Sequence, residues 1–249
     1  MLVNQTVETL RKMRLTAMAE AFLAQNQDPG CRELSFEERF GLLVDTEWTY
    51  REDRRLRRLL KEAHLKTQAC MEDIDYTHNR GLDRSVIASL LSCRWIRDHQ
   101  NVLVTGPTGV GKTFISCALA NLACRNGFSA RYYRLPRLIT DLAIARGDGS
   151  YPSLLRKLAK TELLVIDDWG LGPLTASESR ELLEVLEDRC QTKSTVVASQ
   201  APVDRWYELM PDPTVADAVM DRLVHNAHKI ALKGESMRKI AAAGGQTRG

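Results

Sequence analysis

Asn101-Val102-Leu103-Val104-Thr105, then Gly106-Pro107-Thr108-Gly109-Val110-Gly111-Lys112-Thr113, then Phe114-Ile115-Ser116-Cys117 join a short apolar run to a glycine-rich turn and a helical run. The turn fits GxxxxGK[ST] in the setting that pattern requires, with a strand before it and a helix after it. Glycines let the backbone curl so that its N–H groups converge on phosphate oxygens, and the following helix adds its positive end. Lys112 is expected to reach the β- and γ-phosphates and to act in catalysis. The Thr113 hydroxyl is expected to ligate Mg²⁺, which takes few protein ligands and keeps several waters. Gly106, Pro107, Thr108, Gly109, Val110, Gly111, Lys112 and Thr113, with Phe114 at the helix start, form the expected binding set for ATP. A glycine-rich turn without a ligand is the other reading of the same residues.

Outward from this motif, short apolar runs alternate with helical periodicity beyond Arg84, which is the pattern of βαβ units and a parallel sheet. Five strands are expected: 101–105, 130–135, 163–167, 195–199 and 228–232. Leu163-Leu164-Val165-Ile166 is apolar without alternation, as a strand covered by helices on both faces must be. The fold class is therefore an α/β, doubly wound, five-stranded parallel sheet of the P-loop NTPase kind.

Asp167-Asp168 closes the third expected strand, and the carboxyl ends of parallel strands are where ligands bind. Asp167 is expected to hold the metal, and Asp168 to orient or deprotonate the water that attacks the γ-phosphate. Capping of the next helix is the plainer alternative for this pair. Gln200, after the fourth strand, is placed to sense the γ-phosphate or position water, or else simply begins a loop. Arg222 falls on an amphipathic helix before the last strand. An arginine there in many oligomeric ATPases reaches a neighbour's nucleotide, where a guanidinium stabilises charge on the transferring phosphoryl group. A salt bridge to Asp221 or Asp217 is the competing explanation.

Residues 1–75 read as a small all-helical domain and residues 76–249 as the ATPase domain. Apolar positions recur at helical spacing at Leu15, Met18 and Phe22, then at Phe36, Phe40, Leu43 and Val44, with Asp28-Pro29-Gly30 as a break and Ser35 as an N-cap. From Arg51 to Lys66 there are seven Lys or Arg against three Asp or Glu. At 100° per residue Leu56, Leu59, Leu60 and Ala63 share one face, and Arg51, Arg54, Arg58 and Lys61 the opposite one. This stripe, with Arg55, is the candidate for sequence-independent contacts to DNA phosphates. A solvated helix face is the bland alternative. Arg137 is a further DNA candidate, with Arg146, Arg156 and Lys157 behind it.

The net charge of +3 in 249 residues is too mild to imply a polyanionic partner by itself. Six scattered cysteines without CxxC pairs argue against a zinc site and for free thiols. No run approaches the length of apolar sequence that spans a bilayer, so no membrane partner and a cytoplasmic location are expected. A small-molecule kinase is disfavoured because no arginine-rich lid segment comes after the phosphate motif.

Residues 106–113, Leu163 to Gly170 with its Asp-Asp-Trp-Gly end, Asp221 to Asn226, and Lys233-Gly234-Glu235-Ser236-Met237-Arg238 together resemble the IstB family. Leu42 to Trp48 and Arg54 to Leu60 resemble that family's N-terminal segment, so the likeness covers nearly the whole chain. The resemblance implies an AAA+ ATPase that assembles as a homo-oligomer on duplex DNA and assists transposition of an insertion sequence. On that reading it selects or remodels target DNA and recruits or activates a separate transposase. The nucleotide motifs are shared with DnaC-type helicase loaders, which is the alternative function. The segment after the last strand is too short for the helical lid usual in AAA+ proteins, and Arg238 is a weak candidate for the arginine such lids supply.

Overall fold

A computed structural model describes residues 2–78, 80–237 and 239. The chain divides into two compact units, one ending at Arg58 and one beginning at Leu59. That division falls earlier along the chain than the boundary expected after residue 75.

The first unit is helical, with α1 (Leu2–Lys12), α2 (Thr16–Gln27) and most of α3 (Phe36–Ala63). Asp28 accepts from the Gly30 N–H at 2.9 Å and starts the short 3₁₀ turn Pro29–Arg32 that separates α2 from α3. Ser35 and Glu38 form a reciprocal cap: the Glu38 N–H donates to Ser35 Oγ at 3.2 Å and the Ser35 N–H to Glu38 Oε2 at 2.8 Å. Glu47 is buried and accepts from the Met18 N–H at 3.0 Å and from Arg51 Nε at 2.8 Å, which ties α2 to α3. Leu43 is buried, whereas Phe36, Phe40, Val44 and Trp48 are exposed.

The second unit continues through α4 (Arg84–Leu91) and α5 (Arg94–Arg97) into β1 (Asn101–Thr105), α6 (Lys112–Arg125), β2 (Ala130–Arg134), α7 (Leu135–Asp148), α8 (Tyr151–Lys160), β3 (Leu163–Trp169), α9 (Ala176–Glu187), β4 (Ser194–Ser199), α10 (Pro213–Val224) and β5 (Ala227–Ala231). The strand order is β2-β3-β4-β1-β5, every pairing is parallel, and all five expected strands are present. Leu103, Tyr133, Leu164, Ile166 and Val197 join the apolar core that α7 to α10 complete. Because strand side chains alternate, Val102, Val104, Val165 and Val196 face the other way, on the side of a sheet contacted along β1 to β4 by α6. Helices therefore cover both faces, which explains the unbroken apolar strands.

Register aligns the carboxyl ends. Thr105 lies beside Ser199 and Ala231, and Arg134 beside Asp167. The register between β3 and β4 shifts between Ile166 and Trp169, so β3 bulges at Asp167-Asp168. Asp168 has φ of 59°, in the left-handed region that few non-glycine residues other than Asp and Asn adopt. A bulge of this kind re-aims side chains at a strand end. Trp169, packed against Trp206 with ring centroids 5.2 Å apart and the rings tilted by 40°, anchors the strand immediately beyond the bulge.

Candidate nucleotide site

The loop from Gly106 to Gly111 leaves the end of β1 and enters α6 at Lys112. It is packed from behind: a Cβ on Gly106 would lie 2.4 Å from the Leu232 carbonyl oxygen, so only glycine fits there. Lys112 Nζ donates to the carbonyls of Gly106 and Pro107, both at 2.7 Å, which holds the ammonium over the curl of the loop. Burial pushes the Lys112 pKa down, against the opposing pull of Asp167 and Asp168. Thr108 Oγ1 donates to Gln200 Oε1 at 2.8 Å, so the glutamine after β4 touches the loop directly.

Thr113 Oγ1 donates to Asp167 Oδ2 at 2.7 Å, and the Tyr132 hydroxyl donates to the same oxygen at 2.7 Å. Asp167 is 1% exposed, and its Oδ1 accepts the Asp168 N–H at 2.8 Å. Burial and this carboxylate push the Tyr132 phenol far above its ordinary range, so it stays a donor. Asp168 is held by Arg134 Nε, and that pairing raises the guanidinium's pKa.

A cavity of about 470 Å³ adjoins the loop, with Lys66, Thr67, Asp73, Arg80, Phe114 and Met237 among its lining residues. The stretch between α3 and α4 thus supplies a wall of this cavity. Thr113 and Asp167 offer hard oxygen donors of the kind Mg²⁺ prefers. Among the described residues no group of three or more His, Cys, Asp or Glu could hold a metal alone. One hydroxyl and one carboxylate fit a metal that draws its remaining ligands from water and phosphate.

The structure brings Lys112, Thr113, Asp167, Asp168 and Gln200 to one edge of the sheet. Arg222 lies at the other edge: the Asn101 amide, at the start of β1, donates to the Arg222 carbonyl at 2.9 Å, whereas the phosphate loop comes after the end of that strand. Arg222 pairs with Glu187 of α9, a partner the sequence did not suggest, as well as with Asp221 at 3.6 Å. Arg51, Arg54, Arg55, Arg58 and Lys61 are all exposed on α3, while Leu59 and Ala63 are buried. Arg51 is bound to Glu47 and to the Arg14 carbonyl, and Arg137 to Asp141 at 2.9 Å. Arg146 is engaged by Glu181 and Glu184. Arg238 lies outside the described residues. The cysteines are free, with Cys93, Cys117 and Cys124 buried.

Residues missed by motif reading are Tyr132, Arg134 and Arg80. Tyr132 and Arg134 alternate along β2 and reach the end of β3 only through strand pairing, a signal visible once the sheet order is known.

A parallel sheet in this order, a phosphate loop after its β1 strand and paired aspartates at the end of β3 define a P-loop ATPase of the AAA+ class. Its fold matches that of DnaI, with a TM-score of 0.58 at 20% identity over 71% of this chain and 93% of that one. The chain belongs to the IstB-like ATP binding protein family, whose model matches residues 8–243. It is 48% identical over 96% of its length, and 98% of the relative's, to the insertion sequence ATP-binding protein y4pL of Sinorhizobium fredii. It is 49% identical over 81% of its length, and 88% of the relative's, to the insertion sequence IS1162 ATP-binding protein of Pseudomonas fluorescens.

Proposed function

We propose that the protein is an ATPase that self-associates on duplex DNA in an ATP-dependent way and assists a separate transposase in moving an insertion sequence. Support for the nucleotide chemistry comes from the convergence of Lys112, Thr113, Asp167, Asp168 and Gln200 on one sheet edge. Support for the biological setting comes from the family and from relatives whose names tie them to insertion sequences.

In this reading the loop amides and Lys112 bind the β- and γ-phosphates, and Phe114 and Met237 flank the remainder of ATP. Thr113 and Asp167 would hold Mg²⁺, which would supply positive charge against the charge developing on the phosphates. Asp168 orients the attacking water and accepts its proton, and Gln200 positions that water or the γ-phosphate through its place beside Thr108. Arg222, distant from its own phosphate loop, acts on a neighbouring subunit's nucleotide, so hydrolysis depends on assembly. The exposed basic face of α3, with Arg137, contacts DNA phosphates without reading sequence. No helix among the described residues is long and apolar enough to cross a membrane, and the cytoplasm is the proposed location.

Electron microscopy of the protein with duplex DNA and a slowly hydrolysed ATP analogue tests this directly. Regular assemblies that require both DNA and nucleotide are expected. Binding confined to single strands, together with capture of a replicative helicase, would instead establish a helicase loader.

A further inference from the structure

Arg80 belongs to no motif, yet it is 5% exposed and lines the cavity beside the phosphate loop. Its NH1 donates to the Val110 carbonyl at 3.1 Å and its NH2 to the Asp75 carbonyl at 2.7 Å, while its own carbonyl accepts the Lys233 N–H at 2.8 Å. The contact with the loop is direct: a Cβ on Gly111 would lie 2.7 Å from Arg80 NH1. One residue earlier in the loop, the Gly109 carbonyl accepts the Met237 N–H at 2.9 Å. Two successive carbonyls of the loop are thus tied to chain segments outside it.

A trans peptide places its C=O and N–H on opposite sides, and no cis bond occurs among the described residues. Holding the Gly109 and Val110 carbonyls away from the loop therefore turns the N–H groups of Val110 and Gly111 the other way. Successive amides turned to one side make an anion cradle. Among the described residues no carboxylate pairs with Arg80; its acceptors are carbonyl oxygens. Its charge is therefore not held in an ion pair and lies buried next to that cradle, in a cavity that Asp73 and Asp75 also line, where an anion gains from it.

Resting on the reading of this loop as an ATP site, we propose that Arg80 is a positioning residue for the nucleotide's β- and γ-phosphates. It fixes the Val110–Gly111 peptide with its amide toward the phosphates and adds a buried positive charge behind them.

The full chain carrying Arg80→Met, Arg80→Lys or Lys112→Ala is titrated with ATP and with AMP, which has the base and sugar but lacks the outer phosphates. Arg80→Met is expected to weaken ATP by about ten- to a hundredfold, the range for a lost charged hydrogen bond, and to leave AMP unchanged. Arg80→Lys, which keeps the charge but not the fork, regains part of the loss. Unchanged ATP affinity in Arg80→Met, or equal weakening of ATP and AMP, overturns the proposal. Should Arg80→Met lose its cooperative melt, Arg80→Lys decides: weakened ATP with unchanged AMP supports the role, and wild-type affinities overturn it. If wild-type protein ignores ATP, or Lys112→Ala binds it normally, the nucleotide site itself is misassigned and Arg80 falls with it. Loss in Lys112→Ala alone removes only the role of Arg80.

Discussion

Arg134, the last residue of β2, holds through its Nε the carboxylate of Asp168, the residue proposed to activate water. The pair joins two strands at the carboxyl edge, and the guanidinium side chain is half exposed, so a competing anion can reach it. While paired, the Asp168 oxygen is occupied by the guanidinium instead of being open to a water. Arg134→Ala is therefore expected to raise DNA-independent hydrolysis several-fold. Asp168→Asn, which the left-handed backbone tolerates, should lower turnover by about 10²-fold or more while ATP still binds. Phosphate release at saturating ATP measures both. Normal turnover in Asp168→Asn removes that residue from the mechanism.

Tyr132 and Thr113 share one oxygen of Asp167, and only Thr113 belongs to a motif. Tyr132→Phe leaves that buried carboxylate with one donor fewer, at a cost of about 1–3 kcal/mol in stability. Loss of an orienting partner to a metal-holding group also weakens the metal, by about ten- to a hundredfold in well-studied sites. The Mg²⁺ concentration that half-saturates ATP hydrolysis should accordingly rise in Tyr132→Phe. A magnesium titration with an unmoved midpoint would show that the tyrosine serves packing alone.

Legibility of the fold and site in the sequence depends on which interactions are local. The phosphate loop, Asp167 and all five strands depend on short-range pattern and are readable from residues in order. Arg134, Tyr132 and Arg80 act across the sheet or across thirty residues, and their roles depend on register and burial that no single window contains. Glu187 as the partner of Arg222 is of the same kind. Helical spacing also groups Phe36, Phe40 and Val44 with Leu43, yet only Leu43 is buried. Periodicity identifies an apolar face, but its cover depends on the elements that pack there.

Burial lowers the pKa of Lys112, whereas a bound triphosphate would favour its charged form. The bound complex then holds the proton more tightly than the free site does. ATP affinity should hold near neutral pH and fall as pH rises through the depressed pKa of the free lysine, with proton uptake on binding in that range. Calorimetry in buffers of different ionisation enthalpy reads that uptake. Lys112→Arg, which stays charged, should show none.

Arg54, Arg55 and Arg58 are exposed on α3, so their replacement with serine should leave the fold intact. Every phosphate that the protein no longer neutralises reduces the salt slope of duplex binding by about 0.9. The triple variant should bind DNA more weakly and with a slope shallower by up to about 3. An unchanged slope would move DNA binding to another surface, with Arg137 and its neighbours the next to test.

Arg222 is bound to Glu187 at the sheet edge opposite its own phosphate loop, so any role in hydrolysis must be played toward another subunit. Arg222→Ala should then bind ATP normally and turn over slowly. Lys112→Ala should bind poorly but still present its arginine. Mixed with DNA, the two inactive variants should regain hydrolysis, because a competent nucleotide on the Arg222→Ala subunit meets Arg222 from its Lys112→Ala neighbour. The gain should depend on protein concentration and vanish when one variant carries both changes. Absence of recovery, with co-assembly demonstrated, would mean that the arginine only braces α9 against α10.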